Sequence, residues 1–444
     1  MNEGRLLRIL GAGFGVAVIV GAVIGVGILR TPGEVASHIP SAPLILGMWI
    51  AGGVYALLAA ASVTELGTML PESGGYFVFA RRAFGDGPGF TIGWTDWIGQ
   101  TSALAYVSIA FGEFSVSLAP SLAGHETLVA IAVIAFFGFL QWSGTKTSSR
   151  VQQATSLVKA IAFLALIAAC FLMRGPKTAA PAPVRAESLL VAVILAVQSI
   201  IITYDGWYEA LYFTEEIRDP ARELPRSMIG GVVAVIVIYV LTNAALLYVL
   251  PVGELASSKL PAANAARYLF GAGGATLITA LSLISLPPML NAVMLAAPRI
   301  LFAMSRTGLF PPPMSRVSRR GNPDWAVAAT TALAILLIST GSFRSLIAIA
   351  SVIFVVNHFC ALSALFVLRR REPALARPFR AWGYPWVTAI IAATALAIVI
   401  GSFFGDPRHA LYAAGLIAAS VPVYFLLRRR LREAQPSSQT VRAR

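Results

Sequence analysis

Apolar runs of membrane-crossing length recur along the whole chain, separated by short polar segments. A helix that spans the hydrocarbon core needs about 20 mostly apolar residues. That ruler predicts twelve helical spans, at 10–38, 43–70, 90–119, 127–142, 151–173, 188–213, 227–250, 272–304, 325–341, 345–368, 385–404 and 409–427. The run at 127–142 is the shortest, and several others are long enough to be tilted or interrupted. The expected fold class is an all-α polytopic membrane protein.

Composition and charge agree with that pattern. Hydrophobic side chains make up 57% of the 444 residues and charged ones only 12%, against about 25% charge in soluble domains. The net charge of +14 raises nucleic acid as a partner. The basic residues, however, cluster between apolar runs rather than along one solvated face, which excludes that class. Their placement also orients the chain. With both termini inside, the inner segments hold Arg5 and Arg8, Arg81 and Arg82, Lys146 and Arg150, then Arg218, Arg222 and Arg226. Five more fall between Arg299 and Arg320, five between Arg369 and Arg380, and six from Arg428 to Arg444. The outer loops hold only Arg30, Arg174, Lys177, Arg185, Lys259, Arg267, Arg344 and Arg408. Arg5 and Arg8 precede an apolar stretch as in a signal peptide, but that stretch runs on past Ile24 without a convincing cleavage site, so it reads as the first span.

Two of the predicted helices carry interruptions. In the first, Gly25 and Gly27 lie mid-span, where each helical Gly costs about 1 kcal/mol relative to Ala. Gly11/Gly15 and Gly21/Gly25 also fit the small-xxx-small spacing of close helix packing. Unwinding at Gly25–Gly27 frees backbone groups at bilayer depth, which then need a ligand, water or protein partner. In the sixth, Ile202-Thr203-Tyr204-Asp205-Gly206-Trp207 puts a carboxylate beside a glycine near mid-membrane, expensive unless it has a role or a partner. The first span starts inside and the sixth outside. Spans one to five and six to ten are therefore expected to form inverted repeats, each opening with a broken helix, the pattern of an alternating-access transporter with a midplane site.

Four stretches then match a known group. Gly21 to Gly33, Glu65 to Gly75, Tyr204 through Arg226, and Pro298 to Pro311 resemble, in order, the first helix, second helix, sixth helix with its loop, and eighth-helix loop of the amino acid–polyamine–organocation superfamily. Within it the chain resembles amino acid permeases close to the L-type amino acid transporters. The resemblance implies a five-plus-five inverted-repeat (LeuT-like) core with two peripheral helices. The expected divisions are 1–173 (first repeat), 188–368 (second repeat), 369–427 (peripheral helices) and 428–444 (basic tail). It also implies that a substrate carboxylate meets backbone N–H groups around Val23, Ile24, Gly25, Val26 and Gly27, and its amino group carbonyls around Ile202, Thr203 and Asp205. A half-helix N-terminus suits an anion, and bare C-terminal carbonyls suit an ammonium. Many relatives place a small hydroxyl residue where Val26 stands, and some an aromatic gate where Ile202 stands.

Lys159 lies deep in the fifth span. Two readings overlap: a structural cation paired with carbonyls at the first-helix break, and, from the resemblance, an ammonium where sodium binds in sodium-coupled relatives. Both make the protein sodium-independent, because one cation excludes another at short range; a buried lysine also shifts its pKa readily, so proton coupling through Lys159 is a further reading. Asp205 pairs with Lys159 or backbone amides, or else holds a substrate ammonium or a cationic side chain, or carries a proton; the functional role is favoured. Glu209, four residues on, shares its helical face and extends a carboxylate path. Asp96 and Glu113 sit about 25 Å apart along one helix, too far for one site. Glu65, Glu215 and Glu216 are expected to pair with Arg218, Arg222, Arg226 and nearby basic loops at the inner face. Tyr204 and Trp207 are expected either to line the pocket or to pack; Asn357 and His358 carry no assignment.

Cys170 and Cys360 fall in apolar spans, and His38, His125, His358 and His409 are scattered, so neither a disulfide nor a metal site is expected. No GxGxxG, Walker or HExxH pattern appears, and no cofactor or enzyme chemistry is expected. The loop after the third span, around Ser121 to Glu126, lacks the cysteine through which animal L-type transporters bind an ancillary chain, so no covalent partner is expected. The reading is a sodium-independent amino acid permease (exchanger, uniporter or proton symporter) in a cytoplasmic membrane, bacterial by its Arg-rich composition. A polyamine or cationic-amine transporter of the same fold, with Asp205 as counter-ion, is the alternative. A non-transporting amino acid sensor ranks lower, since the tail after Leu431 has no room for a signalling domain.

Overall fold

A computed structural model describes residues 6–173 and 188–433. Arg5, the outer-loop residues Arg174, Lys177 and Arg185, and the tail beyond Glu433 lie outside the described residues. Sixteen α-helices follow in order: Ala12–Val23 (α1), Gly27–His38 (α2), Ala42–Met69 (α3), Tyr76–Phe84 (α4), Asp86–Leu118 (α5), Glu126–Trp142 (α6), Thr145–Leu172 (α7), Leu189–Thr203 (α8), Pro220–Val249 (α9), Val252–Ser257 (α10), Pro261–Phe270 (α11), Gly274–Arg306 (α12), Asp324–Thr340 (α13), Phe343–Arg371 (α14), Trp386–Gly405 (α15) and Pro407–Glu433 (α16). No strand occurs among the described residues beyond an isolated bridge between Leu10 and Ile217. Among the described residues, eight helical stretches are long and apolar enough to cross a membrane, and α1 with α2 makes a ninth if the bent pair is one span. The fourth, sixth and ninth predicted runs fall on the shorter apolar helices α6, α8 and α13.

Local chemistry explains several boundaries. α9 starts earlier than its hydropathy suggests, at Pro220, where the missing N–H is harmless in the first turn. Gly75 and Gly85, both at positive φ, bracket the short α4, which hydropathy does not flag because it ends in Arg81 and Arg82. The largest departure is at 188–213. The helix stops at Thr203, turns through Asp205–Tyr208, and resumes as a tight 3-10 segment over Glu209–Glu216.

α5 and α12 lie side by side at the centre, and α5 also packs against α4, α6 and α14. α1 packs on α7, α9 and α12, so both halves of the chain enclose the first break. The glycine stripe permits this approach. A Cβ on Gly15 would stand 2.4 Å from Cβ of Ser227 on α9, and one on Gly21 would stand 2.3 Å from Nε2 of Gln152 on α7. Large apolar side chains face outward on the outer helices, among them Phe139, Trp386, Phe404 and Phe425. Such a surface is at home in lipid and not in water.

Candidate functional site

The first break is a solved problem of backbone accounting. α1 ends at Val23, α2 begins at Gly27, and the two are bent by 52°. The last carbonyls of a helix have no intrahelical donor, and in a buried site each must be paired. Val20 O accepts from the Ile24 amide. Lys159 Nζ donates to Gly21 O at 2.8 Å and to Ile24 O at 2.5 Å. The Tyr239 hydroxyl stands 2.7 Å from Val23 O and 3.1 Å from Thr203 O, so its single proton can serve the end of either broken helix. One turn earlier, Ser156 Oγ and Gln152 Nε2 both donate to Ala17 O. Gln152, Ser156 and Lys159 thus form a polar ladder along one face of α7, at spacings of four and three residues.

The second break sits against the first. Thr203, the last residue of α8, donates its hydroxyl to Ser199 O at 2.7 Å and lies 2.8 Å from the Thr31 hydroxyl on α2. Gly206 adopts φ +102, a conformation that only glycine takes without strain, and it lies against the end of α1, where a Cβ would meet the Ala22 carbonyl carbon at an ordinary contact distance of 3.4 Å. The two unwound segments therefore touch.

Where they meet, a cavity of about 540 Å³ runs toward the end of the bundle that carries Arg30, Glu34 and Glu113. Its wall includes Val23, Gly25, Val26, Gly27, Ile202, Thr203, Asp205 and Glu209. Gly27 and Ile202 are exposed to it although both lie mid-helix in sequence. Of the residues expected to contact substrate, Ile24 alone is off the wall: its side chain is fully buried and its carbonyl is taken by Lys159. Lys159 is likewise fully buried and faces backbone rather than cavity.

Asp205 does not pair with Lys159. Its Oδ1 lies 3.6 Å from His358 Nε2 on α14, and it lines both the main cavity and a smaller one of about 70 Å³ between α3, α8, α14 and α15. Asp205 and Glu209 do not share one face of a continuous helix, because the helix ends at Thr203. They meet on the cavity wall through the turn at Gly206 instead. Glu209 Oε1 accepts from Gln100 Nε2 at 2.8 Å. Asp96, fully buried on α5, accepts from the Tyr212 hydroxyl and from Asn357 Nδ2, so it belongs to a polar contact inside the bundle. Glu113 lies on the cavity wall, apart from it.

Below Asp205 the bundle is closed. Tyr76, Tyr208, Tyr212 and His358 form an aromatic layer, with Tyr208 4.8 Å from His358 and 5.2 Å from Tyr76 between ring centres. Trp207 stacks on His358, and the Tyr204 hydroxyl bonds to Trp49 O away from the cavity. Further down come ion pairs between elements. Glu65 accepts from Arg369 and faces Arg377 at 3.3 Å, Glu215 accepts from Arg306 at 2.7 Å, and Glu216 pairs with Arg299. The expected partners Arg218, Arg222 and Arg226 are not used: Arg218 donates to Ile9 O, and Arg222 faces Asp219 at 3.9 Å. Arg222 and Arg226 sit exposed on the first turns of α9 and Arg218 just before it, whereas these carboxylates take partners brought in by α12 and α14.

Sequence reasoning missed Tyr239, Gln100, Gln152 and the His358 contact. Gln152 and Ser156 carried a signal, since with Lys159 they put three polar groups on one face of an apolar helix. Tyr239 carried none, because a tyrosine in a span is unremarkable until its hydroxyl finds two carbonyls.

A multi-pass helical bundle with two broken helices meeting at a buried cavity is the architecture of a membrane transporter. The chain belongs to the amino acid permease family, whose model matches residues 16–427. It is 27% identical over 437 residues to the serine/threonine exchanger SteT of Bacillus subtilis, covering 97% of this chain and 99% of that protein. It is 28% identical over 424 residues to b(0,+)-type amino acid transporter 1 of Mus musculus, covering 93% and 86%. It is also 28% identical over 426 residues to the cystine/glutamate transporter of Homo sapiens, covering 93% and 83%. These relatives are transporters, not enzymes.

Proposed function

We propose that this protein is a sodium-independent amino acid permease that works by alternating access across a cytoplasmic membrane. In this reading it has twelve spans with both termini inside, and two inverted repeats at 1–173 and 188–368. Two peripheral helices (369–427) and a basic tail (428–444) follow. The cavity opens to the outside and the aromatic layer with its ion pairs closes the inside, so the conformation is outward-open.

The observation that carries this reading is the contact of the two helix breaks on one cavity wall. The first N–H groups of α2 have no intrahelical acceptor and sit at the positive end of a helix dipole, which suits a carboxylate. Thr203 O at the end of α8 and the Asp205 carboxylate, on the same wall, suit an α-ammonium. An amino acid presents those two charges a short distance apart. Lys159 supports sodium independence, because its ammonium already holds the Gly21 and Ile24 carbonyls that a sodium ion would need.

The test is uptake of labelled amino acids into proteoliposomes without sodium, empty or preloaded, with and without an inward proton gradient. Saturable uptake supports the permease; dependence on preload or on protons assigns exchange or symport. A steep rise with sodium would sink sodium independence. Asp205→Asn is expected to abolish uptake while the protein remains folded in the membrane, and wild-type uptake in that variant would make Asp205 structural.

A further inference from the structure

The wall of the main cavity is unevenly charged. Arg30, Glu34 and Glu113 stand toward its mouth, while Asp205 and Glu209 stand at its deep end, beside the break. Lys159 contributes nothing to that wall, since its ammonium is spent on the carbonyls of α1. Asp205 has His358 at 3.6 Å. Among the described residues, no Lys, Arg or His pairs with Glu209.

Glu209 is 2% exposed. One carboxyl oxygen accepts from Gln100; the other, Oε2, is buried with no hydrogen-bond partner among the described residues. Leaving a carboxyl oxygen so placed is costly unless a donor arrives to meet it. The helix has ended by this point, and Glu209 reaches the cavity wall as the first residue of the 3-10 segment that follows the turn at Gly206. Tyr208 and Phe354 line the cavity beside it, giving an apolar sleeve that ends in an acceptor.

We infer that Glu209, held by Gln100, is the side-chain subsite of the permease and selects amino acids whose side chain ends in a cation. This rests on the amino acid permease reading above. A basic amino acid matches the deep end charge for charge: its carboxylate to the α2 amides, its α-ammonium to Asp205, and its side-chain cation to Glu209. An acidic side chain would bring a second carboxylate against Glu209, so acidic amino acids are excluded.

The experiment compares labelled lysine, norleucine, serine and glutamate in proteoliposomes of the wild type and of Glu209→Gln and Glu209→Asp. Norleucine resembles lysine but lacks the side-chain ammonium. Wild type is expected to take up lysine in preference to norleucine and serine and to leave glutamate. In Glu209→Gln the lysine-to-serine ratio of kcat/KM should fall roughly 10- to 100-fold, the size of one lost charge-assisted hydrogen bond. Glu209→Asp, which keeps the charge, should lie between. A wild type that carries norleucine or serine as well as lysine overturns the subsite, and it does so even if the variants fail to fold. So does an unchanged ratio in a folded Glu209→Gln. Putrescine competing as strongly as ornithine overturns the assignment to amino acids, since putrescine has no carboxylate. If no amino acid moves in wild type, the permease reading fails and this inference falls with it.

Discussion

Replacing Arg299 tests whether the closed end is held by charge pairing rather than by packing alone. Arg299 is 1% exposed and Glu216 is fully buried. Two guanidinium nitrogens face the two carboxylate oxygens, with Nη2 donating to Oε2 at 2.9 Å. A third donates to Leu295 O, and the Phe213 ring lies 4.9 Å from the guanidinium carbon. The pair joins α12 to the 3-10 segment that follows the second break. At about 4 Å and an effective dielectric near 20, the attraction is about 4 kcal/mol, and it offsets the desolvation of both ions.

Arg299→Met removes the attraction but leaves Glu216 buried and alone, which costs about 3–5 kcal/mol. Glu216→Met strands the guanidinium and should cost a similar amount. The double variant removes both charges and both desolvation penalties. Buried pairs replaced by apolar residues of similar volume come out near neutral, so the double should regain most of what either single loses. Unfolding in mixed detergent and SDS micelles, with each variant measured at the same lipid content, reads the four corners of this cycle. Costs that simply add in the double would refute the electrostatic account and leave the interface to packing.

Three further outcomes follow from the breaks. Lys159→Met should abolish most uptake yet change stability little: two carbonyls left bare cost about 1–3 kcal/mol each, but a buried ammonium costing several kcal/mol is gone. Wild-type uptake in that variant, measured beside its unfolding midpoint, would separate Lys159 from the geometry of the break. Tyr239→Phe leaves one of Val23 O and Thr203 O without its donor. It should lose about 1–3 kcal/mol and raise KM in uptake assays; an unchanged KM would remove the hydroxyl from the site. Gly206→Ala forces a side chain into φ +102 and should destabilise by about 1–3 kcal/mol, read as a lower unfolding midpoint.

Much of this was legible locally. Membrane-crossing runs announce themselves because lipid demands about 20 consecutive apolar residues, and thirteen of the sixteen helices among the described residues overlap them. The breaks were legible as anomalies: Gly25 and Gly27 mid-span, and Asp205 next to Gly206. The extra helices α4, α10 and α11 were not, because their solvated faces leave no uninterrupted apolar run. Partner choice was legible only where the break itself raised the question. The expected break at Gly25–Gly27 called for a donor to the carbonyls beside it, and Lys159 supplies one to Gly21 O and Ile24 O, whereas Glu216 finds Arg299 rather than Arg218 because helix packing, not chain proximity, decides who meets a buried carboxylate.

The sequence by itself determined that this chain lives in a membrane, where its membrane-crossing apolar runs lie, and at which two of them a break was to be expected. These are consequences of transfer energies and backbone hydrogen bonding, summed over neighbours in the chain. Only the tertiary structure decided that the two breaks touch, that Tyr239 bridges them, and that Lys159 turns away from the cavity. It also decided that Asp205 and Glu209 share a wall although the helix has already ended at Thr203. Those outcomes depend on close packing between residues far apart in sequence, where a few ångströms separate a paired charge from a bare one.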